Sequence, residues 1–157
     1  MNVTLADIQA ASLGLSKFLS PTPLLLNRWL SDQFGCELYL KLENMQPIGS
    51  FKIRGATYKI SKLTADERRR GVIAASAGNH AQGVAWGSKK LGARALIVMP
   101  RSASLVKIQN TKMLGAEIIF EGETYDEAYE AALRIAKKTS RVFVHAFEDE
   151  AVIAGQG

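Results

Sequence analysis

Two short stretches hold the residue types that do chemistry. The first runs from Lys41 to Ala56 and centres on Ser50, Phe51 and Lys52. Pro47 and Gly49 break the chain ahead of it, and the Ser50 side-chain oxygen can cap a new helix. Lys52 then falls in the first helical turn, at the positive end of the helix dipole, where cations are disfavoured. An amine placed there gives up its proton readily, as a Schiff-base lysine must. An exposed lysine at a helix start is the plain alternative. The second stretch is Ser76, Ala77, Gly78, Asn79 and His80. Gly78 permits close backbone approach, and amides at the start of the following helix suit a carboxylate or a phosphate. Ser76 and Asn79 can add side-chain hydrogen bonds. A tight turn with a cap is the alternative here. His80 has no second histidine near it in sequence, and His145 reads as structural. No cysteine–histidine cluster points to zinc, and no metal is expected.

The elements that must position these residues follow from pattern. Thr4 and Asp7 have capping-box spacing and open a helix to about residue 18, with Leu5, Ile8, Ser12 and Leu15 on one face. A helix is predicted from Leu24 to Phe34, with Leu26, Trp29, Leu30 and Phe34 as its core stripe and Gly35 as its stop. Alternation from Leu38 to Glu43 reads as a strand. The Lys52 helix continues to about Lys62, with Ala56 and Ile60 inward, and Thr64 to Glu67 caps a short helix that ends at Gly71. From Val72 the rhythm is regular. Apolar strands at 72–76, 95–99, 117–120 and 142–146 alternate with helices at 81–91, 104–114 and 125–139. That alternation predicts an α/β fold with a parallel sheet and helices in layers on both faces. In such a sheet ligands bind beyond the C-terminal strand ends, which is where Ser76 to His80 falls.

The chain has 157 residues, 47% hydrophobic, enough for a core of its own. The formal net charge is +5 and the sequence pI is about 9.4. The basic groups Arg68 to Arg70, Lys89 with Lys90, and Lys137 with Lys138 all fall near predicted helix ends, where cations are stabilising. Scattered charge of this kind argues against nucleic acid as a partner. No run is long and apolar enough to span a membrane, and the N-terminus lacks the pattern of a signal peptide. The single cysteine, Cys36, makes no internal disulfide, which suits the cytoplasm.

The segment from Ser50 to Ala56, with Lys41 to Asn44 ahead of it, resembles the cofactor-lysine segment of the fold-type II pyridoxal-phosphate enzymes. The nearest branch is that of the threonine and serine dehydratases and serine racemases. Ser76 to His80 is similar to that family's substrate loop, Ser-x-Gly-Asn-His. Thr22, Pro23 and Leu24, and the closing stretch Asp149 to Gly157, resemble it as well. The resemblance implies that Lys52 carries pyridoxal 5'-phosphate and takes the substrate Cα proton when released. Phe51 would pack beside the cofactor and Asn79 would hydrogen-bond its ring hydroxyl. Ser76, Ala77, Gly78, Asn79 and His80 would bind the amino-acid substrate through its carboxylate. Glu43 and Asn44 would support the site, with Arg54 near it or facing outward.

The implied reaction is removal of the β-hydroxyl and deamination of L-threonine to 2-oxobutanoate and ammonia, with L-serine going to pyruvate. Resembling racemases carry a serine at the position of Ala77. Alanine cannot carry a proton, so the position argues for elimination. A serine dehydratase, a serine racemase and a non-catalytic fragment are the alternatives. The many relatives with threonine at the place of Ile48 make that residue a small departure. The implied layout is the N-terminal part of a large domain at 1–70, a small α/β domain at 71–147, and the start of a return to the large domain at 148–157. Members are roughly twice as long, as two domains would be. The family's glycine-rich loop for the cofactor phosphate would then follow Gly157, and this chain alone would turn over poorly. A homo-oligomer is implied for the complete enzyme, with a place in amino-acid metabolism such as isoleucine biosynthesis.

Overall fold

Thr4 starts the first helix as its spacing predicts. In the computed structural model, which describes residues 2–157, α1 (Leu5–Leu15) opens on a complete capping box. The Asp7 amide donates to the Thr4 hydroxyl, and the Thr4 amide donates to the Asp7 carboxylate at 2.9 Å. Ala11 and Leu15 are the buried residues of α1, while Leu5 stays exposed.

The helix predicted from Leu24 to Phe34 is corrected. Leu24–Leu26 form strand β1, and helix α2 spans only Arg28–Phe34. Proline at 23 holds its neighbourhood extended, and Asn27 is the first residue able to cap. Its Oδ1 accepts the Leu30 amide at 2.9 Å. Strand β1 pairs antiparallel with β2 (Tyr39–Lys41), with Leu25 opposite Leu40. Gly35 ends α2 in the left-handed conformation, as expected. The expected core stripe is also corrected: Trp29 and Phe34 are each 69% exposed, and α2 buries no residue.

The remaining elements are a short 3-10 helix (Glu43–Met45), α3 (Lys52–Ser61), α4 (Ala65–Arg70), β3 (Val72–Ala75), α5 (Asn79–Leu91), β4 (Ala95–Met99), α6 (Leu105–Met113), β5 (Glu117–Phe120), α7 (Tyr125–Thr139), β6 (Val142–Phe143) and α8 (Glu150–Gln156). The last four strands form one parallel sheet in the order β5-β4-β3-β6. Strand β6 is shorter than predicted. Its ladder with β3 closes at the Val144 amide, which donates to Ile73 at 2.9 Å, and the chain then turns at His145.

One core fills the face covered by α5 and α6. It joins Val72, Ala74, Ile97 and Met99 to Ala81, Val84 and Ala85, and takes Ala56 and Ile60 from α3. A second core packs Ile73, Ala75, Leu96 and Val98 against Ala128, Ala131 and Ala132 of α7. Helix α7 therefore crosses the opposite face and returns the chain to the far side of β3. The C-terminal ends of the neighbouring parallel strands β3 and β6 lie side by side, at the end of the sheet where open α/β folds bind ligands.

Glycines bring the Lys52 helix close to its neighbours. A Cβ at Gly83 of α5 would lie 2.9 Å from the Lys52 carbonyl oxygen, and one at Gly55 of α3 would lie 2.5 Å from the Val152 carbonyl oxygen of α8. Neither position has room for a side chain, so α3 is clamped between α5 and α8. The basic groups Arg68 to Arg70, Lys89 with Lys90, and Lys137 with Lys138 do lie in the last turns of α4, α5 and α7. No helix among the described residues is long and apolar enough to cross a membrane.

Candidate functional site

Lys52 is the first residue of α3. The buried Ser50 hydroxyl accepts the Lys52 backbone amide at 3.2 Å and holds the start of the helix. The half-buried Lys52 amine donates to the Ala146 carbonyl at 2.8 Å. Its nitrogen also stands 5.3 Å from the centre of the Phe51 ring. Burial pushes the amine below the usual lysine range, because the charged form loses hydration. The sequence reading placed Lys52 where a cation is disfavoured, and desolvation acts in the same direction.

Ser76 follows β3 directly. Its Oγ accepts the amides of Gly78 at 3.1 Å and Ala81 at 3.2 Å, so this hydroxyl shapes the loop from within. Among the described residues, the amides of Ala77, Asn79 and His80 meet no acceptor. They stand at the N-terminus of α5, where an anion is favoured. The Asn79 side chain is exposed.

His80 turns inward. It is 4% exposed, and its Nε2 donates to the Val144 carbonyl at 2.9 Å. Burial lowers its pKa to about 4, so the ring is neutral at pH 7. Its Nδ1 is buried with no partner among the described residues. The segment Val144–Ala146 thus links the two stretches: one of its carbonyls holds His80 and another holds Lys52.

Glu43 and Arg54 form a brace behind Lys52. The guanidinium grips the carboxylate through two contacts, Nε to Oε2 at 2.7 Å and Nη2 to Oε1 at 2.6 Å. The Thr22 hydroxyl donates to the same carboxylate at 2.5 Å. The Arg54 hydrogen bond is the main cause that lowers Glu43 to about 2. Arg54 therefore spends its fork on Glu43, and Asn44 is exposed. Ile48 packs against the third core with Ala11, Leu15 and Ile53.

Sequence reasoning missed three contributors. The Ala146 carbonyl carries no side-chain signal. Gly83 shows its role only once α5 lies against α3. Lys107, in the first turn of α6, brings its amine within 3.9 Å of the place a Gly78 Cβ would take. Its position at the sheet end that carries the loop was the available sign. No group of three or more histidine, cysteine, aspartate or glutamate side chains among the described residues is placed to hold a metal.

Known proteins resemble this chain in sequence and fold. L-threonine ammonia-lyase of Thermotoga maritima is 57% identical over 155 residues, which is 99% of this chain and 39% of that protein. The processed form of threonine deaminase isoform 2 from Solanum lycopersicum superposes with a TM-score of 0.90 at 40% identity, over 96% of this chain and 41% of that one. Maize serine racemase gives a TM-score of 0.93 at 30% identity, over 99% of this chain and 47% of that one. The chain thus spans less than half the length of each. A family model described as pyridoxal-phosphate dependent enzyme matches residues 15–157, taking in both the Lys52 turn and the Ser76 loop, and the chain belongs to that family.

Proposed function

We propose that the protein deaminates L-threonine to 2-oxobutanoate and ammonia, with L-serine as a second substrate, and that Lys52 holds the cofactor. The observation that carries this reading is the Lys52 amine, desolvated at a helix start and held by one backbone carbonyl. The donor set fits pyridoxal phosphate. It offers one amine of lowered basicity, an exposed amide side chain at Asn79 and an aromatic ring at Phe51. When bound, the cofactor supplies an electron sink for the charge that develops at the substrate Cα.

The chain's own residues then do the following. Lys52 Nζ, once free, takes the Cα proton as general base, and its lowered pKa keeps a larger neutral fraction at pH 7. The amides at the start of α5 bind the substrate carboxylate, His80 contributing through its backbone while its ring anchors the loop to Val144. Ser76 fixes the loop from inside, and Gly78 lets the ligand approach its backbone. Asn79 orients the cofactor through its ring hydroxyl, and Phe51 shields one side from water. Ala77 offers no proton on the face opposite Lys52, which favours elimination over racemisation.

We place the domain limits at 1–70, 71–147 and 148–157. In support, the four-stranded sheet with α5, α6 and α7 lies wholly within the middle segment, while α8 packs back on α1 and α3. The exposed, unpaired Cys36 supports a cytoplasmic setting. A homo-oligomer and a place in isoleucine biosynthesis belong to the same reading. The test is 2-oxo acid release from L-threonine and L-serine by the chain supplied with pyridoxal phosphate. The expected result is slow release of 2-oxobutanoate from L-threonine, none with Lys52→Ala, and no D-serine formed from L-serine. Formation of D-serine would favour the racemase alternative. Absence of any 2-oxo acid would overturn deamination by this chain.

A further inference from the structure

We propose that His145 is a positioning residue for Lys52: its ring closes the Val144–Glu148 turn and so sets the Ala146 carbonyl where the Lys52 amine meets it. The inference deepens the function above and rests on Lys52 as the reactive amine. The turn has firm ends. At one end Val144 donates to Ile73 and accepts from His80, both at 2.9 Å. At the other, Asp149 caps α8 through the Ala151 and Val152 amides at 2.9 and 3.1 Å, and pairs with Lys59 at 2.7 Å.

The middle of the turn has no such anchor in Ala146, whose methyl can make no polar contact. The His145 ring provides it. Its Nδ1 accepts the Phe147 amide at 3.2 Å and the Glu148 amide at 2.7 Å. Two bonds into Nδ1 put the ring proton on Nε2, which faces the Glu148 carboxylate at 3.6 Å. The ring is also wedged between aromatic neighbours. It meets Phe147 edge-on at 4.7 Å and Tyr129 edge-on at 5.6 Å, and lies tilted against Phe143 at 6.0 Å. The peptide between these anchors is that of Ala146, and its oxygen accepts from Lys52.

A carbonyl is a suitable acceptor for an amine that must take up a proton. A neutral amine has two N–H groups and one lone pair, and giving one N–H to a carbonyl leaves the lone pair free. The ammonium ion keeps the same bond and strengthens it. The acceptor therefore fixes the nitrogen in both protonation states without competing for the proton.

The experiment uses two variants of the full chain, His145→Ala and His145→Asn. An asparagine oxygen can accept the amides two and three residues ahead, as the histidine Nδ1 does, so it restores the turn without the ring. Two cofactor-free readouts are taken. One is hydrogen exchange at the Phe147 and Glu148 amides. The other is the NMR signal of Lys52 carrying 13C-methyl groups added by reductive methylation. His145→Ala should speed exchange at both amides about ten-fold, as loss of these bonds implies. It should also move the Lys52 signal to that of exposed lysines. His145→Asn should restore both. Three results would overturn the proposal: unchanged amide exchange in His145→Ala, faster exchange with the Lys52 signal unmoved, or amides restored by asparagine without the Lys52 signal. A separate borohydride trap with pyridoxal phosphate tests the function itself, so failure there is distinguishable from failure here.

Discussion

Strands β3 and β4 bury every residue along their length, while β1, three leucines in a row, buries none. Apolar content does not separate them. The difference is cover. The central strands lie between α5 and α6 on one face and α7 on the other. The β1–β2 pair has no such layer, and α2 beside it leaves Trp29 and Phe34 exposed. The Lys52 helix belongs to the covered region: it sits in the first core and is clamped by glycine contacts on two sides. The Lys52 amine is thus mounted on the more densely packed half of the structure, and the Glu43–Arg54 brace ties the less covered half to it.

The largest effect is expected where the covered region has no slack. A Cβ at Gly55 would stand 2.5 Å from the Val152 carbonyl oxygen, so Gly55→Ala forces α3 and α8 apart. A loss of about 3 kcal/mol is expected in urea unfolding, at the upper end of overpacking costs. A loss below 1 kcal/mol, on the same scale, would show that the clamp yields.

The next two effects separate by pH. His80 falls from 6.5 unfolded to about 4 folded, so the unfolded chain binds more protons between those values. Stability should be full above pH 6.5 and fall as the pH drops towards 4, by on the order of 3 kcal/mol. His80→Gln should remove that slope, and unfolding midpoints across the range check it. Glu43 falls from 4.5 to about 2, so its contribution is present above pH 4.5 and lost as the pH falls towards 2. Because the pair is partly exposed, the loss should be smaller, on the order of 1–2 kcal/mol. Glu43→Gln should flatten this lower limb and leave the His80 limb in place.

The smallest effect belongs to the uncovered region. Trp29→Ala should change stability by no more than about 0.5 kcal/mol, since the side chain is 69% exposed. A cost of 2 kcal/mol or more, about that of a core residue, would erase the contrast.

These contrasts mark what was legible in the sequence. The capping boxes at Thr4 and Thr64 were, because a cap acts within four residues. The β–α alternation from Val72 onward was, because each buried strand and its helix carry their own period. Strand β1 was not, because it exists by pairing with β2 across the α2 excursion. The exposure of Trp29 was hidden for the same reason: an apolar stripe does not reveal whether anything packs on it. At the site, Lys52 stood out through the resemblance of Ser50 to Ala56 to the family's cofactor-lysine segment, since its place at a helix start alone also fits a plain exposed lysine. Its partner did not, since a backbone carbonyl 94 residues away leaves no mark on composition or spacing. The inward turn of His80 was likewise set by Val144, an element away from the loop motif.

The central claim is that Lys52 is set apart from the other lysines as the cofactor's amine. The direct measurement is to incubate the chain with pyridoxal phosphate, reduce with borohydride and locate the adduct by peptide mass spectrometry, with Lys52→Ala alongside. One dominant adduct on Lys52 that disappears in the variant is expected. Labelling scattered over many lysines, and unchanged in the variant, would contradict it.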